Sequence, residues 1–159
     1  MAIPKKIHYC WFGGNPLNKR TLRYIERWKE LCPDFEFIRW DETNCDMNAN
    51  EYVRGAYQSG KWAFVSDYFR LKALYEQGGV YLDTDVELLR PFGDLLELSG
   101  FAGFEDAEHV ATCVLGAEKE HGFFRQAMEL YEGRTFLREG GEPDPVSYTH
   151  LRAHETCAD

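Results

Sequence analysis

The sequence predicts an α/β fold, and three observations carry that prediction. Short apolar runs of strand length alternate with segments whose apolar residues recur at helical spacing. The stretch from Trp62 to Asp85 contains that alternation in one piece: a helical segment, the glycine pair Gly78-Gly79, and a β-prone run Val80-Tyr81-Leu82 that leads into Asp83-Thr84-Asp85. With 159 residues, 44% hydrophobic and 15% aromatic, the chain has enough apolar material for one domain with a core.

Taken in order, Ile7 to Phe12 reads as a first strand, stopped by Gly13-Gly14, where backbone can approach a ligand closely. Asn15-Pro16 has the chemistry of a helix start, and Leu17, Thr21, Tyr24, Ile25, Trp28 and Leu31 follow on one face until Pro33 ends the helix. Lys19, Arg20, Arg23, Arg27 and Lys29 form its solvated side. Phe35 to Trp40 alternates as a second strand, residues 41–50 are turn-rich, and Glu51 to Tyr57 is a short helix broken at Ser59-Gly60. After Asp85, Val86 to Leu89 continues as a strand up to Arg90-Pro91. Phe101 to Glu105 and Val110 to Gly116 are further strands, and Glu118 to Tyr131 is a helix with Phe124, Ala127, Met128 and Tyr131 inward.

Charge and composition narrow the function. A net charge of −9 argues against a nucleic-acid surface, although it leaves room for a local basic pocket. No apolar run approaches the roughly 18 residues a membrane span needs, and Pro4-Lys5-Lys6 follows Ala2-Ile3 too closely for a signal peptide. The five cysteines (Cys10, Cys32, Cys45, Cys113 and Cys157) are odd in number and form no Cys-x-x-Cys, which reads as reduced thiols in a cytosolic protein.

The chemistry concentrates in the middle of the chain. Residues two apart on a strand face the same way, so Asp83 and Asp85 are expected to share one side and Thr84 the other. Paired carboxylates repel unless a cation lies between them, and oxygen donors suit Mg²⁺ or Mn²⁺ bridging to phosphate. Asp67 and Arg70 lie three apart on a helix. They are either an ordinary surface pair or a carboxylate and guanidinium aimed at a ligand, and their apolar surroundings favour the second reading. Trp11 and Phe12 offer rings for stacking on a nucleobase, against the simpler reading of core aromatics, which fits Phe12 better than Trp11. His8 reads as a hydrogen-bonded strand histidine rather than a ligand. Glu87, Glu105, Asp106 and Glu108 read as solvated loop acids.

Three blocks together resemble a glycosyltransferase family with an Asp-x-Asp sugar-binding signature, which includes bacterial capsular polysaccharide and mannosyl transferases and, more distantly, the clostridial glucosylating toxins. They are Ile3 to Gly14, Ala63 to Arg70, and Gly78 to Asp85. The resemblance spans about residues 3–130 and implies a GT-A fold, Rossmann-like, that binds a nucleotide-sugar with Mn²⁺ or Mg²⁺. It implies Trp11 against the base, with Phe12, Gly13, Tyr81 and Asp83 also on the donor. It also implies Asp67 and Arg70 on the donor sugar and diphosphate, Asp83 near ribose and sugar, and Asp85 as the direct metal ligand with Asp83 beside it. On this reading Asp67, Arg70 and Asp83 form the catalytic set. The reaction implied retains anomeric configuration and passes a sugar from a UDP-sugar, or a GDP-sugar, to a glycan or lipid-linked saccharide. It also implies a bacterial cytoplasmic protein with no nucleic-acid partner, working at the inner face of the membrane through peripheral contact.

The family continues well past this length, and nothing here matches its later, site-closing part. The stretch Val146 to Thr156 instead resembles translated sequencing adapter. The expectation is therefore a truncated GT-A fold: residues 1–145 form the donor-binding part and residues 146–159 a non-native disordered tail. The competing view of that tail is a genuine one in which His150 and His154 bind metal. Two other functions compete with the first. A non-catalytic nucleotide-sugar-binding fragment predicts binding without turnover. A haloacid-dehalogenase-like phosphatase would make Asp83 a nucleophile, but its later lysine and paired-Asp motifs are missing.

Overall fold

The computed structural model of the chain describes residues 2–146. Five strands form one sheet in the order β2-β1-β3-β5-β4. They are β1 (Lys6–Cys10), β2 (Glu36–Trp40), β3 (Gly79–Leu82), β4 (Gly100–Phe104) and β5 (Val110–Ala117). The four helices are α1 (Lys19–Leu31), α2 (Glu51–Gln58), α3 (Trp62–Gln77) and α4 (Gly122–Glu129). Strands β2, β1 and β3 are parallel, whereas β5 runs antiparallel to both β3 and β4.

The pleat divides the core in two. On β1, Ile7 and Tyr9 join Val80 and Leu82 of β3 in a cluster with Ile25 and Trp28 of α1 and with Cys32 just after it. The intervening Cys10 and Tyr81 face the other side and pack with α2, α3 and α4 through Val53, Phe69, Leu74 and Phe124. A strand buried on both faces with helices on each is the three-layer solution for a parallel sheet. His8, also on the second face, is fully buried yet satisfied. Its Nε2 lies 2.8 Å from the Gly78 carbonyl, and its Nδ1 accepts from the Trp40 indole at 3.0 Å. That pattern fixes a neutral ring protonated on Nε2, and burial lowers its pKa to about 4.

The glycine pair after α3 is required by both conformation and space. Gly78 and Gly79 have φ of +66° and +118°. A Cβ on Gly79 would lie 2.7 Å from the Lys6 carbonyl, and one on Gly78 2.8 Å from the Lys119 nitrogen. The chain therefore passes from helix straight into the central strand.

Four expectations about boundaries are corrected. Helix α1 is capped by Asn18, whose side chain accepts from the Thr21 N–H at 2.8 Å, so Asn15-Pro16 lies in the preceding loop. Val86 to Leu89 is not a strand. Its first N–H turns back to the Asp83 carbonyl at 3.1 Å, and the Val86 carbonyl takes the Trp28 indole N–H at 3.0 Å. Helix α4 begins only at Gly122, because Glu120 adopts φ of +62° and His121 caps the helix by accepting from the Phe123 N–H. Strand β3 ends at Leu82, so Asp83-Thr84-Asp85 lies in a turn and strand alternation does not set its side chains. Val146, placed in the tail by the sequence reading, packs against the core. The remainder of that tail, with His150 and His154, lies outside the described residues. No helix among the described residues is long and apolar enough to cross a membrane.

Candidate functional site

A cleft of about 480 Å³ opens at the carboxyl ends of β1 and β3. From β1 the chain goes outward through α1 to β2, and later returns to β3 on the other side of β1. The cleft thus sits where the strand order reverses, the position at which open α/β sheets bind ligands. Its volume lies in the range of small-molecule sites.

The cleft gathers Trp11, Phe12, Arg70, Tyr81, Asp83 and Asp85 from the expected residues. Gly13 and Asp67 are not among the residues lining it. Asp67 is joined to the cleft through Arg70, 3.1 Å from its carboxylate, and Arg70 in turn lies 3.2 Å from Asp83. Arg70 is 5% exposed. Its Nε donates to the Ser66 carbonyl at 3.3 Å and an Nη to the Thr112 carbonyl at 2.8 Å, while its guanidinium lies 4.7 Å from the Tyr81 ring centroid. The Tyr81 hydroxyl donates to Asp83 at 2.8 Å. Burial raises the pKa of Asp67 and of Asp83 above the ordinary carboxylate range, and Arg70 opposes that rise in both. Two carboxylates, Asp67 and Asp83, share one guanidinium, which leaves the cluster net negative.

Phe12 is 5% exposed and packs on Phe69 at 5.6 Å between centroids, so it is primarily a core ring, as the simpler reading had it. Trp11 is only half-buried, and its indole N–H is tied to the Asn15 carbonyl at 2.6 Å. Gly13 acts by shape: its φ is +101°, its N–H donates to Glu42, and a Cβ there would meet the Trp62 indole nitrogen at 2.7 Å. Glu105, Asp106 and Glu108 are exposed, and Asp106 pairs with His109; Glu87 is exposed too.

Sequence reasoning missed several lining residues. Thr84 lies in the cleft with both aspartates, because the motif turns instead of alternating. Trp62, Arg20 and Asn18 also line it, although Trp62 was read as a helix start, Arg20 as part of a solvated face, and Asn18 was given no role. A signal for Trp62 was present in Gly13, since a glycine pair after a strand leaves room for a large ring against the backbone.

No cluster of three or more histidines, cysteines and acids is placed to hold a metal among the described residues. Asp83 and Asp85 supply two hard carboxylates. That donor set fits Mg²⁺ or Mn²⁺, which commonly takes its remaining ligands from substrate phosphate and water.

Comparison with known proteins gives a consistent picture. A family model for a glycosyltransferase sugar-binding region containing the DXD motif matches residues 18–102, over half the chain. Inositol phosphoceramide mannosyltransferase 3 of Schizosaccharomyces pombe is 29% identical over 131 residues, 80% of this chain and 36% of the relative. The initiation-specific alpha-1,6-mannosyltransferase of Candida albicans is 29% identical over 107 residues, 61% of this chain and 28% of the relative. The chain thus spans about a third of the length of these curated relatives. The solved structure of the PaToxG glycosyltransferase superposes with a TM-score of 0.65 at 15% identity, covering 80% of this chain and 59% of that one. The fold is therefore GT-A, as expected. The expectation of a bacterial cytoplasmic protein is overturned, since these sequence relatives are yeast mannosyltransferases.

Proposed function

The chain belongs to the glycosyltransferase family with a DXD-motif sugar-binding region, and from that premise we propose that its cleft binds a nucleotide-diphosphate sugar and presents it for retaining transfer. The observation that carries this reading is the placement of Asp83 and Asp85 at the end of β3, in the same cleft as Trp11 at the end of β1. One end suits a metal-held diphosphate, and the other offers an aromatic face to the base.

Asp85, exposed at the rim, would hold the divalent cation, with Asp83 beside it. When bound, that cation offsets the negative charge that grows on the departing nucleoside diphosphate. Arg70 holds Asp67 and Asp83 in position, and Tyr81 fixes one Asp83 oxygen. Prior orientation of this kind lowers the barrier without any covalent role for the protein. No residue is assigned as a covalent nucleophile, and α-configuration in donor and product is the corresponding expectation.

The two yeast relatives are named as mannosyltransferases, which supports mannose as the sugar. The name of one supports an inositol-bearing lipid as the acceptor class. Residues 1–145 are proposed as the donor-binding part of the enzyme; because the match covers only 36% of the relative, binding without turnover is the second reading. The phosphatase reading has no support in a family of sugar transferases.

Calorimetric titration of the chain with UDP and GDP, with and without Mn²⁺, tests the proposal and identifies the base. Metal-dependent binding of either nucleotide is expected. A folded chain that binds neither overturns it.

A further inference from the structure

Arg70 is the cation the family motif supplies, yet its hydrogen bonds run to the protein. It serves Asp67, Asp83, and the carbonyls of Ser66 and Thr112. A nucleoside diphosphate brings about three negative charges near neutral pH. Even with a divalent cation between that diphosphate and the carboxylates of Asp83 and Asp85, the cleft stays net negative, which favours a further side-chain cation that is not already neutralised.

Arg20 meets that description. It lines the same cleft, is exposed, and has no acidic partner among the described residues. Its guanidinium lies 6.0 Å from the Tyr24 ring centroid, which orients it without cancelling its charge. One turn on, Arg23 is likewise without an acidic partner among the described residues, whereas Arg27 is paired with Glu30 at 3.1 Å. Helix α1 carries five basic residues and two acids in a chain of net charge −9. The positive charge is therefore local, and its cleft end is Arg20.

We propose that Arg20 is a phosphate-binding residue of the cleft, acting from the α1 wall on a phosphoryl group that Arg70 is too committed to hold. Its planar fork suits two phosphate oxygens. The phosphoryl group comes either from the donor diphosphate or from a phosphate-bearing acceptor. The inference rests on the proposed donor site and adds a second cation to it.

The test compares Arg20→Gln and Arg20→Lys with the unaltered chain by calorimetry in Mn²⁺. Arg20 is exposed, so thermal melts are expected to coincide and binding losses to be local. If the group belongs to the donor, Arg20→Gln weakens UDP or GDP by roughly tenfold or more, as expected for a lost hydrogen bond to a charged group. Uridine and guanosine are unaffected, Arg20→Lys recovers part of the loss, and the salt dependence of binding flattens. If it belongs to the acceptor, nucleotide affinity is unchanged, and glycerol 1-phosphate added to the nucleotide-saturated chain loses affinity in Arg20→Gln. Unaltered binding of all probes by Arg20→Gln overturns the inference and leaves the donor site standing. Absence of nucleotide binding by the unaltered chain overturns both.

Discussion

Arg70 lies 3.2 Å from Asp83, although the two belong to different elements, and the same guanidinium lies 3.1 Å from Asp67 within its own helix. One buried cation therefore determines where two of the acids of the site can be. Replacing Arg70 by lysine keeps the charge but loses the fork that also reaches the Thr112 carbonyl. Arg70→Lys is expected to lower unfolding free energy by about 1–3 kcal/mol and to weaken nucleotide binding, measured by urea titration and calorimetry. Unchanged values in both would show that a point charge suffices.

Asp85 is exposed and makes no ion pair among the described residues, so its contribution should be to ligand and not to fold. Asp85→Asn is expected to melt within about 0.5 kcal/mol of the unaltered chain. The rise in melting temperature on adding Mn²⁺ and nucleotide should disappear in this variant. A persisting metal-dependent rise would move the metal elsewhere.

Asp83 and Asp67 have raised pKa values, chiefly from burial. An acid whose folded pKa exceeds its unfolded value takes up its proton more readily in the folded state, so its charged form costs stability above the folded pKa. That cost is relieved as pH falls toward the ordinary carboxylate range. The same protonation removes the cation's ligand, so the Mn²⁺-dependent gain in melting temperature should shrink over that pH interval. A gain that is flat with pH would separate Asp83 from the metal.

His8 acts in the opposite sense. Its folded pKa is lowered to about 4 from 6.5, so between those values the unfolded chain binds more protons. Stability from this residue is full above pH 6.5 and is lost as pH falls toward 4. The integrated loss is at most about 3 kcal/mol for a shift of this size. His8→Gln is expected to melt lower at pH 7 and to show a weaker loss between those limits. Parallel pH profiles would remove His8 from the account.

Gly13→Ala tests the fit of the loop to Trp62. The substitution forces a side chain into positive φ and against the indole. A loss of about 1–3 kcal/mol and a changed tryptophan emission are expected. Unchanged stability together with unchanged emission would show that the loop is not fitted to Trp62.

Much of this was legible in the sequence for a physical reason. The glycine pair, the buried β3 and the charged side chains of α3 lie in one stretch, so local pattern suffices to place Asp67, Arg70 and Asp83 together. The turn at Asp83 was not legible, because three residues after a strand look the same whether the pairing continues or stops. The helix cap was misplaced because Asn15 and Asn18 have the same capping chemistry, and only the Thr21 N–H distinguishes them. Arg20 looked like an ordinary solvated residue because the cleft wall it faces is built by residues more than forty positions later.

The direct passage from α3 into β3 has a consequence for how the site is made. Asp67, Arg70 and Asp83 span a continuous run of seventeen residues interrupted by no loop longer than the glycine pair. Contacts that close so short a segment form early and depend little on chain made afterwards. Strand β5 then completes the arrangement, its Thr112 carbonyl taking Arg70 and its Cys113 carbonyl taking the Asp83 N–H at 2.9 Å. During synthesis the charged centre would thus be sketched as soon as residue 85 is free of the ribosome, and fixed about thirty residues later.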